Sequence, residues 1–188
     1  MQAKGQLFIM SAPSGCGKTT LERMLIDSDL NLKKSISVTT RKPRKGEEEG
    51  RDYYFISEKE FFKRRDNGEF LEWAKVFGHY YASPKDKIER YLNEKKNILL
   101  SIDIQGAKQI KKIYPDAVYI FVKPPSLKDL EARLKARGTD NKEDIEKRLK
   151  VAKEEIRQSK MYDYVVVNDK IDRAYQQLKE IIRNNIKR

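Results

Sequence analysis

Leu7-Phe8-Ile9-Met10-Ser11-Ala12-Pro13-Ser14-Gly15-Cys16-Gly17-Lys18-Thr19-Thr20 is the stretch on which the reading of this chain turns. Residues 7–10 form a short apolar run of the kind that fills a buried strand. Residues 12–19 fit the phosphate-binding loop pattern G-x-x-x-x-G-K-[ST], with Ala12 in the place of the first glycine. Gly15 and Gly17 let the backbone curl so that successive N–H groups point at phosphate oxygens. Lys18 adds a point charge to the β- and γ-phosphates, and Thr19 offers a hydroxyl to a magnesium ion. Leu21, Met24 and Leu25 follow at helical spacing, so a helix opening at Lys18 presents its positive end to the same anion. Strand, loop and helix together predict a nucleoside triphosphate site held by Ala12, Pro13, Ser14, Gly15, Cys16, Gly17, Lys18, Thr19 and Thr20.

Outward from this loop, apolar runs at 98–104, 117–122 and 164–167 join 7–10 as expected parallel strands. Helical stretches at 18–28, 85–95, 105–113, 127–136, 142–160 and 170–187 alternate with them. That alternation predicts a three-layer α/β core around a parallel sheet, with the site at the carboxyl ends of the strands. The segment 35–83 breaks the rhythm with aromatic extended pieces and one helix, whose start at Ser57-Glu58-Lys59-Glu60 has capping-box spacing. It reads as a small antiparallel insertion. The stretch 137–141 between two basic helices reads as a hinge.

At 188 residues the chain is long enough for one substantial core with insertions. Lys and Arg number 41 against 29 Asp and Glu, a net charge of +12 that favours polyanionic partners, nucleotides among them. A solvated surface of intermixed charges explains the same balance. Cys16 is the only cysteine, which excludes an intramolecular disulfide and fits a reducing compartment. The thiol stands at a helix N-terminus, where a thiolate is favoured, but the motif also tolerates any residue there. With His79 as the sole histidine, His-rich zinc sites and most triad chemistry lack material. A secretory apolar segment is not evident at the N-terminus, and no apolar run nears membrane-spanning length. A cytoplasmic protein is expected, without membrane or nucleic-acid partners, as a monomer or homodimer.

Arg41-Lys42-Pro43-Arg44 offers two guanidinium forks about a proline-stiffened turn, suited to a phosphate dianion, although by itself the segment reads sooner as an ordinary exposed basic turn. The wider order decides between them. Ser-x-Thr-Thr-Arg-x-Pro-Arg-x-Gly-Glu runs from 37 to 47, Gly-Arg-Asp-Tyr-Tyr-Phe from 50 and Gly-Glu-Phe-Leu-Glu-Trp from 68. Gly-His-Tyr-Tyr-Ala-Ser then begins at 78, Ile-Asp-Ile-Gln-Gly-Ala at 102, Pro-Pro-Ser at 124, Arg-x-x-x-Arg-Gly-Thr at 133 and Val-Val-Asn-Asp at 166. Taken with the phosphate loop, this order resembles guanylate kinase along nearly the whole chain.

The resemblance implies an ATP:GMP phosphotransferase of purine nucleotide metabolism, with dGMP as a further candidate acceptor and Mg2+ as cofactor. It implies a core (1–34, 84–126, 159–188), a GMP-binding insertion (35–83) and a helical lid (127–158). By position, Arg41, Arg44, Tyr53 and Tyr81 would hold the GMP phosphate, while Ser37, Glu72, Ser83 and Asp103 would read the guanine. Lys18, Arg133, Arg137 and Arg148 would surround the transferring phosphoryl group, and Asn168 would lie near the adenine. The chemistry of Glu72 agrees: guanine presents adjacent N–H and NH2 donors, and one carboxylate accepts both. Taken alone, Glu72 also reads as a surface carboxylate beside Trp73.

Three positions depart from the family pattern. Ala12 replaces a glycine, as it often does there. Ala82 stands where glycine is usual, which predicts a tighter turn before Ser83. Ser101 stands where a carboxylate usually helps hold the hydrated metal. Three other functions compete. A non-catalytic interaction module of the same fold predicts loss of the loop, yet Gly15, Gly17, Lys18 and Thr19 all stand. A nucleic-acid binder lacks any recognition motif. A kinase acting on ribose phosphates has no use for Glu72 and the arginine–tyrosine set.

Overall fold

The opening apolar run is a strand because both of its faces are covered. The computed structural model describes residues 4–136, 138 and 141–186. In chain order the first elements are β1 (Leu7–Ser11), α1 (Lys18–Ile26), β2 (Leu32–Lys34), β3 (Val38–Thr39) and β4 (Tyr54–Phe55). Next come α2 (Glu58–Asp66), β5 (Phe70–Val76), β6 (His79–Pro84), α3 (Lys85–Asn93), β7 (Asn97–Ser101) and α4 (Ile104–Ile113). The rest are β8 (Val118–Lys123), α5 (Leu127–Ala136), α6 (Lys142–Arg157), β9 (Tyr164–Val167) and α7 (Ile171–Asn185).

The main sheet has the order β2-β7-β1-β8-β9, and its pairs are all parallel. Alternate side chains of the buried strands feed two cores. Phe8, Met10, Ile120 and Val122 pack with Leu21 and Leu25 of α1 and Leu178 and Ile182 of α7. Leu7, Ile9, Tyr119 and Phe121 pack on the opposite face with Ile88 of α3 and Ile110 of α4. Each such side chain, removed fully from water, contributes about 1.5–3 kcal/mol. Helix α7 shows why the helices lie as they do, since Ala174, Leu178 and Ile182 recur every fourth residue on its buried face.

The sequence expectation of four parallel strands falls one short. Strand β2 is three residues long, Leu-Lys-Lys, and buries only Leu32 at the sheet edge, too little apolar signal to stand out. The strand expected over 98–104 ends at Ser101, because the Asp103 side chain accepts a hydrogen bond from the Gly106 N–H and starts α4. The helix expected over 142–160 ends at Arg157 and passes into a 3-10 turn over Gln158–Met161.

Residues 38–84 carry a second sheet of order β4-β3-β6-β5. It is mixed, not purely antiparallel as expected: β3 runs parallel to β4 and antiparallel to β6. Short β3 and β4 are joined by a long basic loop, so a crossover replaces a hairpin. Helix α2 covers this sheet through Phe61, which packs with Val38 and Ala82. Its start is capped as expected, the Ser57 hydroxyl accepting from the Glu60 N–H. Ala82 lies within β6 opposite Trp73, in this small core and not in a turn. Strands β5 and β6 are joined by the two-residue turn Phe77-Gly78, both at positive φ (47° and 87°).

Candidate active site

The loop between β1 and α1 needs its two glycines. Gly15 and Gly17 have φ of 92° and 83°, and a Cβ on Gly17 would stand 2.7 Å from the Asn168 side-chain nitrogen. The loop opens into a cleft of about 390 Å³ at the carboxyl ends of β1 and β7. Ala12, Pro13, Ser14, Gly15, Gly17, Lys18, Thr19 and Thr20 all line it. The Lys18 ammonium donates to the Ile102 carbonyl at 3.2 Å. Burial lowers its pKa, while the carboxylates of Glu22, Asp103, Glu155 and Glu72 oppose that shift and favour the cation.

Cys16 differs from the rest of the loop. It is fully buried in the core, and burial pushes its thiol up to about 12. The thiolate that a helix N-terminus would favour is therefore absent; desolvation outweighs the dipole and the nearby Arg133 charge.

The opposite wall comes from the second sheet. The Arg41 guanidinium donates to the Tyr81 hydroxyl at 3.2 Å and to Glu47 Oε1 at 2.9 Å, and sits 5.5 Å from the Tyr53 ring centre. Tyr53 and Tyr81 meet edge to face at 6.0 Å. Burial raises the Tyr53 hydroxyl to about 12, which keeps it a donor at neutral pH. Arg44 lines the same wall, and its backbone N–H donates to Glu47 at 2.8 Å. This corner gathers the Arg41 guanidinium and two phenols, with Arg44 on the same lining, which suits a phosphate dianion.

Between the two walls lies Glu72, only 4% exposed on β5. The buried Ser83 hydroxyl donates to Glu72 Oε1 at 2.5 Å. Desolvation raises the carboxyl to about 7, with Asp103 adding to the rise and Ser83 and Lys18 opposing it. The other oxygen faces α4, where a Cβ on Gly106 would come within 2.2 Å of Oε2. Helix α4 also pins the next residue: the Gln109 amide donates to the Trp73 carbonyl at 2.7 Å and accepts from its N–H at 3.3 Å. Ser37 and Asp103 border the same cleft.

Helix α6 closes the third side. Arg148 reaches the loop, its Nη1 donating to Ser14 Oγ at 2.7 Å. Besides Cys16 and Ser83, two further expected site residues lie behind the cleft instead of on its lining. Asn168 is 3% exposed, and its amide donates to the Cys16 carbonyl at 2.8 Å, bracing the loop from outside. Arg133 donates to the Asn168 carbonyl at 2.8 Å, one step further from the cleft. Arg137 lies outside the described residues, as does most of the expected hinge at 137–141.

The sequence model of the family described as guanylate kinase matches residues 4–185. The chain belongs to the guanylate kinase family. It is 46% identical over 182 residues to the guanylate kinase of Caldanaerobacter subterraneus subsp. tengcongensis, covering 97% of this chain and 88% of that protein. It is 47% identical to the guanylate kinase of Geobacter metallireducens, covering 97% and 90%. The solved guanylate kinase structure from Anaplasma phagocytophilum matches with a TM-score of 0.84 at 36% identity, over 99% of this chain and 88% of that one.

Within this guanylate kinase cleft stand residues that the sequence reading passed over. Glu155 lines the cleft from α6; burial raises its carboxyl to about 7 against the pull of Lys18. Val151 and Phe77 line it too. The spacing Arg148, Val151, Glu155 marks one face of a helix, a signal that was present once Arg148 was singled out. Ser101, where the guanylate kinase pattern usually has a carboxylate, ends β7 at the cleft and offers it a hydroxyl.

Proposed function

We infer that this chain transfers the γ-phosphoryl group of ATP to GMP, giving ADP and GDP, the reaction of the family to which it belongs. The observation that carries this reading is a single cleft with the phosphate loop at one end and the Glu72 carboxyl with the Arg41–Tyr53–Tyr81 corner at the other. The distribution of these groups supports a division of the chain into core, GMP-binding insertion (35–83) and lid (127–158). Arg41, Arg44, Tyr53 and Tyr81 would hold the acceptor phosphate. Glu72, held by Ser83, would accept from the guanine N–H and NH2, with Ser37 and Asp103 beside it. AMP has no such donor pair and would leave a buried carboxylate unpaired, a loss of several kcal/mol.

The GMP phosphate is already an anionic nucleophile, so no general base is needed. Lys18 and the lid arginines Arg148 and Arg137 would face the charge spread over the transferring phosphoryl oxygens. Arg133 and Asn168 would act by bracing the loop. The donor set at the cleft is hard oxygen: the exposed Thr19 hydroxyl, the Asp103 carboxylate and the Ser101 hydroxyl. These fit magnesium, which when bound with ATP would neutralise phosphate charge. Among the described residues no cluster of three or more His, Cys, Asp or Glu is placed to hold a metal, so phosphate oxygens and water would supply most ligands.

A coupled ADP-release assay with ATP and each nucleoside monophosphate tests the reading. GMP is expected to be turned over at least about a hundredfold more efficiently than AMP, CMP or UMP. Comparable rates with AMP would overturn the assignment of Glu72. Lys18→Met, folded by circular dichroism, is expected to lose about 10²–10³-fold in kcat.

A further inference from the structure

Phe77 occupies the first position of the two-residue turn between β5 and β6, at φ 47°. Turns of this kind take Asn, Asp or Gly there, and a bulky aromatic at positive φ is an uncommon, costly choice. Core packing does not account for it. The ring is 49% exposed and lies outside the small apolar core of its own sheet. It lines the cleft instead, and the Arg148 guanidinium carbon sits 4.7 Å from its centre. The same guanidinium donates to Ser14 of the phosphate loop. One arginine on α6 thus touches the donor-side loop and the tip of the acceptor-side hairpin at once.

We propose that Phe77 is a positioning residue, a stacking platform that holds Arg148 over the phosphate loop and so couples the acceptor-side hairpin to the placement of that arginine. A guanidinium over an aromatic face is attracted by the ring quadrupole, more strongly as water is excluded. The ring and the guanidinium already meet in this structure, so GMP that steadies the hairpin steadies the platform, and ATP phosphates that draw Arg148 steady the hairpin through the same contact. Linkage requires that coupling to be mutual. The proposal rests on reading Arg148 as a phosphoryl-facing residue.

The test compares Phe77→Leu, which keeps apolar bulk without a π face, with Phe77→Tyr, which keeps the face. Phe77→Leu is expected to lower kcat by about tenfold with each KM within about twofold, and Phe77→Tyr to restore most of the loss. Calorimetry of GMP binding with and without a non-hydrolysable ATP analogue should show tighter binding with the analogue, a gain that Phe77→Leu removes. Phe77→Asn, which suits the turn, should match or exceed the parent in Tm while losing kcat like Phe77→Leu. In an Arg148→Met background, Phe77→Leu should add nothing. Equal kcat for Phe77→Leu and the parent, with Arg148→Met inactive, would overturn the platform alone. Equal impairment of Leu and Tyr variants would do the same. Full kcat in Arg148→Met would remove the underlying reading of Arg148 and the platform with it.

Discussion

Glu72 combines two demands that oppose each other. The proposed reading of guanine requires its carboxylate charged, whereas burial favours the proton and lifts the carboxyl from the ordinary 4.5 to about 7. Because the folded pKa is raised, the group's stabilising contribution is fully present below about pH 4.5 and is lost as pH rises through about 7. Nucleotide-free Glu72→Gln should therefore gain Tm over the parent as pH goes from about 5 to 8. GMP affinity should run the other way in the parent, falling about fivefold from pH 7 to 6 as the carboxylate protonates. Calorimetry of both proteins separates this from titration of the GMP phosphate, which the Gln variant retains. Gly106 is the second residue-scale constraint, since any Cβ there would collide with Glu72 Oε2. Gly106→Ala is expected to raise the KM for GMP by about tenfold or more and to leave that for ATP within about twofold, read from steady-state kinetics.

Among elements, the phosphate loop depends on a strand distant in sequence. The end of β9 delivers the Asn168 amide to the Cys16 carbonyl, 152 residues away along the chain. Arg133 of α5 in turn holds the Asn168 carbonyl. Asn168→Ala leaves a buried carbonyl without its donor, and a stability loss of about 1–3 kcal/mol is expected in chemical denaturation. ATP affinity should weaken with it, because the loop must hold its curl without that brace. An unchanged denaturation midpoint would show that the loop needs no external support.

The whole molecule sets two sheets against one cleft; in the proposed reading the parallel sheet carries the donor end and the mixed sheet the acceptor end. Arg41→Met is therefore expected to weaken GMP binding by about 1.5–3 kcal/mol while ATP binding changes little, measured by calorimetry with each nucleotide separately. Equal losses for both would place Arg41 with the donor. The excess of 12 positive charges favours capture of both anions, so association should slow as salt rises. Among the described residues no helix is long and apolar enough to cross a membrane.

The phosphate loop was legible in the sequence because its chemistry is local: Gly15 and Gly17 answer to backbone dihedrals, and Lys18 and Thr19 follow within one turn. The alternation of buried strands and amphipathic helices was legible for the same reason, since period and run length are properties of neighbouring residues. Strand β2 was not, because a three-residue edge owes its existence to hydrogen bonds from β7 and not to its own composition. The protonated state of Cys16 was decided by the core closing over it, a desolvation that no local rule supplies. Asn168, Gly106 and Phe77 acquire their roles from Cys16, Glu72 and Arg148, partners at least 34 residues distant along the chain. The sequence by itself determined the strand, the glycine-rich loop and the helix that follow one another at the cleft, and which residue types are available to meet guanine. Only the tertiary structure decided which of those side chains reach the cleft and which brace it, because burial and reach are set by how the two sheets and α6 pack together.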